Sequence, residues 1–169
     1  GGVAIGLTTS AEKIPHMQQS PACVFDHLVA TVAPDGQPTA WHKELRQITA
    51  GRGVDVFFDP VGAGVYLDSE IRCLAQYGTI HIYGLLGQKG PVDLSPLIRK
   101  HATVRGWSNN EMIAAGDDLL NTGYQHVLTG FADGRYRQHV DRTFALDDVV
   151  AAHRYMEAGR HIGKLVLVP

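Results

Sequence analysis

Residues 54–62, with the sequence VDVFFDPVG, give the clearest indication of the fold class. Its first six residues, Val54–Asp59, are β-branched, aromatic or acidic and predict a strand, which Pro60 ends. Apolar residues recur at helical spacing downstream and predict a helix over Tyr66–Ala75. The run Gly78–Gly84 predicts the next strand. A strand, a helix and a second strand in this order are typical of a βαβ unit with parallel strands.

The same alternation continues on both sides of this unit. Further strands are predicted over Val3–Leu7, Leu28–Val32, Ala102–Trp107, His139–Phe144 and Gly163–Val168, and helices over Ala11–Gln19, Thr39–Ala50, Glu111–Ala132 and Asp147–Ala158. Such an order favours an α/β fold, in which a Rossmann-like, doubly wound parallel sheet carries helices on both faces.

Composition excludes several classes of protein. The 169 residues include 15 Lys and Arg against 17 Asp and Glu, and 44% are hydrophobic, as in an ordinary globular protein. The sequence has no basic stripe of the kind that binds nucleic acid. It also has no apolar run long enough to predict a membrane segment. Cys23 and Cys73 stand far apart in the sequence, which favours a reducing, cytoplasmic compartment.

Candidate binding residues follow the predicted strands, because ligands of such sheets bind beyond the carboxyl ends of the strands. Small residues there let a flat ligand approach the backbone, although each glycine taken alone is better interpreted as a turn residue. The candidates are Thr8, Thr9, Ser10 and Lys13 after the first strand, Asp59, Val61 and Gly62 after the third, Gly84, Leu85 and Leu86 after the fourth, and Trp107 after the fifth.

The residues after the first strand point to a particular cofactor. A site for NAD usually places a carboxylate there to accept from the ribose 2′-hydroxyl. Here three hydroxyls and the Lys13 ammonium follow the strand instead, and these groups suit the 2′-phosphate of NADP. The alternative is an ordinary helix cap, with Ser10 as the capping residue and Lys13 in solvent.

The glycine-rich phosphate loop of a dinucleotide site is not found, since no G-x-G-x-x-G lies between a strand and a helix. The chain opens on Gly1-Gly2-Val3 without a Met and enters a predicted strand at once. We therefore expect a fragment whose first strand and phosphate loop precede Gly1. The alternative is a tag remnant or a trimmed start.

Other catalytic and metal motifs are not matched. Nine histidines are scattered without metal-ligand spacing, so no metal site is predicted. His81 lies inside a predicted strand and is interpreted as a core residue. Asp117-Asp118 and Asp147-Asp148 are interpreted as solvated helix starts rather than catalytic pairs.

Three segments carry a family resemblance. They are Gly51–Gly62, Leu74–Gly84, and Phe144–Glu157 with Gly163–Leu167, and they occur in a consistent order along the chain. Together they resemble the medium-chain dehydrogenase/reductase superfamily, in its quinone oxidoreductase-like, zinc-type alcohol dehydrogenase branch. The resemblance implies a partial Rossmann domain over residues 1–138, and a helix and strand over 139–169 that return to a catalytic domain.

The resemblance also implies a function. It implies NADP-dependent hydride transfer to or from a small-molecule quinone, enone or carbonyl/alcohol substrate, in a homodimer that pairs near Ala102–Trp107. It places Asp59–Gly62 beside the cofactor, and Gly84–Leu86 and Trp107 on its nicotinamide side. Zinc ligands would belong to the catalytic domain, and no catalytic residue is identified. The alternative is a non-catalytic Rossmann-like module for dimerisation or partner binding, which the reading frame upstream of Gly1 would distinguish.

Overall fold

The computed structural model describes all 169 residues, 1–169, as an alternation of strands and helices. The strands are β1 (Ile5–Thr8), β2 (His27–Ala30), β3 (Val54–Asp59), β4 (Leu74–Ile82), β5 (Thr103–Gly106), β6 (Val140–Ala145) and β7 (Lys164–Val168). The helices are α1 (Lys13–Gln19), α2 (Trp41–Ile48), α3 (Gly64–Cys73), α4 (Ser95–Lys100), α5 (Asn110–Ala114), α6 (Asp117–Ala132) and α7 (Val149–Glu157), with a 3-10 turn at Leu146–Asp148.

The chain divides into two compact units. The first unit joins Gly1–Gln37 to Thr122–Pro169, and the second unit is Pro38–Asn121. Every strand pairing is parallel: β1 with β2, and β6 with β7, in the first unit, and β3-β4-β5 in the second. The predicted α/β class with parallel strands is therefore confirmed, although the strands form three separate sheets.

The second unit has a core on one face of its sheet. Phe57 pairs with Ile80 and Ile80 with Val104, and the Phe57 and Ile80 side chains are buried. Helix α3 contributes Leu67 and Ile71 to the buried set. Because side chains alternate across a strand, Phe58 projects to the opposite face, where it is 74% exposed. One face of this sheet is thus packed and the other is open.

The first unit is held by two strand pairs and their local hydrogen bonds. Beside β1 and β2, the Thr31 hydroxyl donates to the Thr8 carbonyl oxygen over 3.2 Å. Beside β6 and β7, Asp141 accepts from the Tyr155 hydroxyl at 3.0 Å and from the Ile162 amide at 3.2 Å. These contacts join α7 and the chain before β7 to β6.

Two elements differ from the sequence prediction. The helical region predicted over Glu111–Ala132 is divided between α5 and α6. The break occurs because Gly116 has a φ of +101°, which is incompatible with an α-helical backbone. Helix α4 was not predicted; it has a proline in its first turn and ends at His101 in the left-handed conformation. A six-residue helix presents too few turns for a periodic pattern to register.

Two further findings concern organisation. The two compact units divide the chain after Gln37 and after Asn121. This division does not test the boundary predicted between residues 138 and 139, which stays a prediction. None of the helices combines the length and the apolar character needed to cross a bilayer.

Candidate functional site

The loops that follow β3 and β4 are joined to each other in the second unit. We call residues 60–63 the β3 tip loop and residues 83–87 the β4 tip loop. The Tyr83 amide donates to the Asp59 carbonyl oxygen at 2.9 Å, and the Gly87 amide donates to the Val61 carbonyl oxygen at 2.9 Å. The Leu86 amide donates to the Pro60 carbonyl oxygen at 3.2 Å. The structure therefore brings the predicted residues after these two strands together.

Contact between the two loops accounts for their glycines. A Cβ at Gly84 would lie 2.3 Å from the Pro60 carbonyl oxygen, and a Cβ at Gly62 would lie 2.7 Å from the Gly84 carbonyl oxygen. Gly62 also has a φ of +66°, which side chains disfavour. Turn positions and the approach of a ligand were both open for these glycines from the sequence, and the structure shows close approach of the neighbouring backbone.

The buried side chain of Asp59 anchors the β3 tip loop. Its side chain is 0% exposed, and its two carboxylate oxygens accept from the Val61 amide at 2.7 Å and the Gly62 amide at 2.9 Å. A carboxylate that accepts two backbone N–H groups is a strong loop anchor. The Asp59 side chain therefore has no surface to offer a cofactor, and the loop that it holds is the accessible part.

Glu70 on α3 is the functional candidate that the sequence analysis missed. It is 1% exposed and hydrogen-bonded to Asp59. Burial, followed by the Asp59 charge and that hydrogen bond, raises the pKa of Glu70 to about 9. Glu70 is thus protonated at neutral pH and donates to the Asp59 carboxylate. Its position between Leu67 and Ile71 on the apolar face of the helix was a signal, since acidic residues are almost never fully buried unless paired.

An aromatic cavity occupies the open face of the same sheet. Its volume is about 590 Å³, and it is lined by Phe58, His81, Tyr83, Arg105, Trp107 and Glu111. The Phe58 and His81 rings stack with centroids 5.6 Å apart, because β3 and β4 pair these residues in register. His81 was interpreted as a core residue, and it instead lines this cavity. Trp107 lies at its edge, with its amide donating to the Ile82 carbonyl oxygen at 2.8 Å.

The predicted leucines of the β4 tip loop lie at the surface. Leu85 is 87% exposed, and Leu86 is similarly exposed. Apolar side chains at such exposure gain nothing from the core of this unit. They are available to an apolar ligand or a second protein surface.

The residues after β1 form a separate group in the first unit. Thr8 is buried, and its carbonyl oxygen accepts from the Thr31 amide at 2.8 Å. Thr9 is exposed, while Ser10 and Lys13 are partly exposed. No acidic residue stands in the first turn of α1, although Glu12 comes directly before it. The hydroxyls of Thr9 and Ser10 and the Lys13 ammonium are thus the accessible donors.

The residues of this chain do not fit a metal ion. No group of three or more His, Cys, Asp or Glu side chains converges to hold one. Cys23 and Cys73 are free thiols, and burial raises the pKa of Cys73 to about 12. The thiolate that metal binding needs is therefore strongly disfavoured at Cys73. Asp117 and Asp118 lie in the first turn of α6, as interpreted from the sequence.

The chain is similar to known oxidoreductases. Residues 26–167 match the sequence profile described as "Zinc-binding dehydrogenase". A 2-haloacrylate reductase from a Burkholderia species is 33% identical over 134 residues, which cover 74% of this chain and 38% of the reductase.

Solved structures share the fold. A quinone oxidoreductase from Pseudomonas syringae superposes with a TM-score of 0.78 at 22% identity, covering 99% of this chain and 49% of its own. A mycobacterial protein in complex with NADPH superposes with a TM-score of 0.80 at 23% identity, covering 99% of this chain and 50% of its own. The chain thus spans half or less of the length of these relatives.

Proposed function

Because this chain belongs to the zinc-binding dehydrogenase family, within the medium-chain dehydrogenase/reductase superfamily, we propose that it is the cofactor-binding part of an NADP-dependent oxidoreductase. The reaction is hydride transfer to or from a quinone, enone or carbonyl/alcohol substrate. The names of two relatives, a 2-haloacrylate reductase and a quinone oxidoreductase, support the enone and quinone part of this range.

One observation carries the choice of NADP over NAD. Accessible hydroxyls and an ammonium follow β1, at Thr9, Ser10 and Lys13, and the first turn of α1 holds no carboxylate. Hydroxyl and ammonium donors satisfy a phosphate, whereas a ribose 2′-hydroxyl is usually held by a carboxylate.

The bound cofactor would supply or accept the hydride, and the residues of this chain would bind and orient the cofactor. Thr9, Ser10 and Lys13 would donate to the 2′-phosphate. In the second unit, the β3 tip loop at Val61 and Gly62 and the β4 tip loop at Gly84, Leu85 and Leu86 would present backbone and apolar surface, with Trp107 on the nicotinamide side. The side chains of Thr8 and Asp59 are buried, so Asp59 would act through the β3 tip loop that it anchors and Thr8 through the backbone at the end of β1. No step is assigned to zinc, which these residues do not fit.

Lys13→Ala in the full-length protein tests the phosphate contact. We expect NADPH affinity to fall about tenfold and NADH affinity to change less than about twofold, because only NADPH offers a phosphate to the ammonium; a charge-assisted contact of this kind contributes about 1.4 kcal/mol. Titration of cofactor fluorescence at constant ionic strength measures both constants. The matched control is Glu12→Gln, which removes a neighbouring carboxylate and should leave NADPH binding unweakened. Equal losses for the two cofactors in Lys13→Ala would contradict the assignment.

We also propose that the protein is a cytoplasmic homodimer that pairs through β5. Strand β5 has a hydrogen-bonded partner on one side only, β4, and its remaining edge resembles the unpaired edges that recruit a second chain. Sedimentation of the full-length protein over a range of concentrations should give twice the monomer mass. A monomer at every concentration tested would contradict the proposal.

A further inference from the structure

Three hydrogen-bond donors meet at one buried carboxylate beneath the β3 tip loop. The Val61 and Gly62 amides donate to opposite oxygens of Asp59, at 2.7 Å and 2.9 Å, and Glu70 is hydrogen-bonded to the same side chain. Two ionised carboxylates in this buried place would repel each other. The arrangement is therefore complete only while Glu70 carries its proton, since that proton supplies the third donor.

The Oε2 atom of Glu70 is buried, and no donor group of the protein reaches it. An ionised Glu70 would therefore place negative charge on an atom that accepts no hydrogen bond. Neither carboxyl group is in contact with bulk solvent, because Asp59 is 0% and Glu70 1% exposed. Ionisation of Glu70 can be accommodated only if the surroundings open, and the β3 tip loop is the part that Asp59 holds.

The other ionisable groups near Glu70 do not supply a compensating cation. On α3 itself, Tyr66 has its pKa raised by burial and by the Glu70 and Asp59 carboxyls, and Cys73 likewise by burial and Glu70. Both therefore remain neutral over the range in which Glu70 titrates. They add no positive charge that could stabilise a second carboxylate.

The cationic side chains on the elements packed against α3 interact with groups other than Glu70. From α4, the Lys100 ammonium donates to the Ile71 and Arg72 carbonyl oxygens at 2.7 Å and 2.9 Å. On α2, the positive charge of Arg46 favours lower pKa values for Cys73 and Lys100. The pKa of His42, on the same helix, is lowered by burial and by the nearby Arg72. The inward residues of β4 are apolar. Asp59 is thus the charged group that Glu70 meets directly.

We propose that Glu70 is a positioning residue, whose protonated carboxyl locks Asp59 and the β3 tip loop in place and whose ionisation releases that loop. Neither carboxyl touches a ligand in this arrangement; Glu70 acts through Asp59, and Asp59 acts through the Val61 and Gly62 amides. The consequence for ligand binding rests on the proposed function, because it requires that the β3 tip loop contacts the cofactor. The consequence for the loop itself does not.

Carbon-detected NMR of the protein between pH 6 and pH 10 tests the loop, since it does not depend on exchanging amide protons. We expect the Val61 and Gly62 carbonyl resonances to shift in one step near pH 9, together with the Glu70 side-chain carboxyl resonance. In Glu70→Gln, whose amide can donate to Asp59 at every pH, the step should be absent. The control Glu44→Gln removes an exposed carboxyl of α2 and should keep the step.

NADPH titration over the same pH range separates the two proposals. We expect the wild type to lose at least tenfold in affinity above the step relative to Glu70→Gln, whereas Lys100 and other groups titrate in both proteins and cancel. If the carbonyl resonances of the loop shift but NADPH affinity does not differ, Glu70 does position the β3 tip loop. In that case the loop does not contact the cofactor, and that part of the proposed function is wrong. If the Glu70 resonance titrates without a loop step, or titrates in the ordinary carboxyl range, the lock is overturned; the wild-type spectra alone decide this if Glu70→Gln does not fold.

Discussion

Replacing Glu70 by glutamine is expected to raise the free energy of unfolding at pH 7 by about 3 kcal/mol. The pKa of Glu70 is raised to about 9 in the folded state, mainly by burial. An unfolded glutamate titrates near its ordinary value, so at pH 7 the wild type must take up a proton in order to fold. Glutamine carries no such requirement, and its amide keeps a donor to Asp59.

The sign of the pH dependence follows from the direction of that shift. Between the unfolded and folded pKa values of Glu70, the folded state holds one more proton, so each unit of rising pH removes about 1.4 kcal/mol of stability. The loss begins near the ordinary pKa and ends near pH 9. The advantage of Glu70→Gln should therefore be small near pH 4.5, grow through neutrality and level off above pH 9.

Urea unfolding of both proteins at several pH values measures this difference. The exposed Glu44→Gln on α2 is the control, and its stability should follow the wild type within about 0.5 kcal/mol at every pH, as surface substitutions usually do. A Glu70→Gln protein that is less stable than the wild type at pH 7, or whose advantage does not change with pH, would contradict the buried, protonated state of Glu70.

Replacing Gly84 by alanine is expected to lower the free energy of unfolding by about 3 kcal/mol. The added methyl group would lie 2.3 Å from the Pro60 carbonyl oxygen, and this contact is with backbone rather than with the end of a movable side chain. The two tip loops must separate to admit it, which strains the hydrogen bonds from Leu86 to Pro60 and from Gly87 to Val61.

The matched control is Gly106→Ala at the end of β5. A Cβ at Gly106 meets no atom within 4 Å, and Gly106 does not adopt a positive φ. Its replacement should be neutral or stabilise by up to about 1 kcal/mol, because alanine restricts the unfolded chain. Equal effects of the two substitutions in thermal or urea unfolding would show that the tip loops are not in close contact.

Local sequence patterns predicted the alternation of strands and helices and the ends of several elements, but not α4 or the break between α5 and α6. The strand Val54–Asp59 was predicted with its observed bounds, since a β-branched and aromatic run closed by proline has one local solution. The predicted residues of the β3 and β4 tip loops lie together, because parallel strands end at the same edge of a sheet. The hydroxyls and lysine after β1 were also visible as a pattern, and their role stays a prediction.

The roles of those residues depend on long-range packing. In the sequence, Asp59 and Glu70 are ordinary acids 11 positions apart, and only the packing of α3 against the sheet makes one the buried hydrogen-bond partner of the other. The same holds for Gly84, whose missing side chain admits the backbone of a loop far away in sequence. Local pattern records backbone preference and periodic burial, whereas the protonation of a buried acid and the fit of two loops depend on groups that meet only after folding.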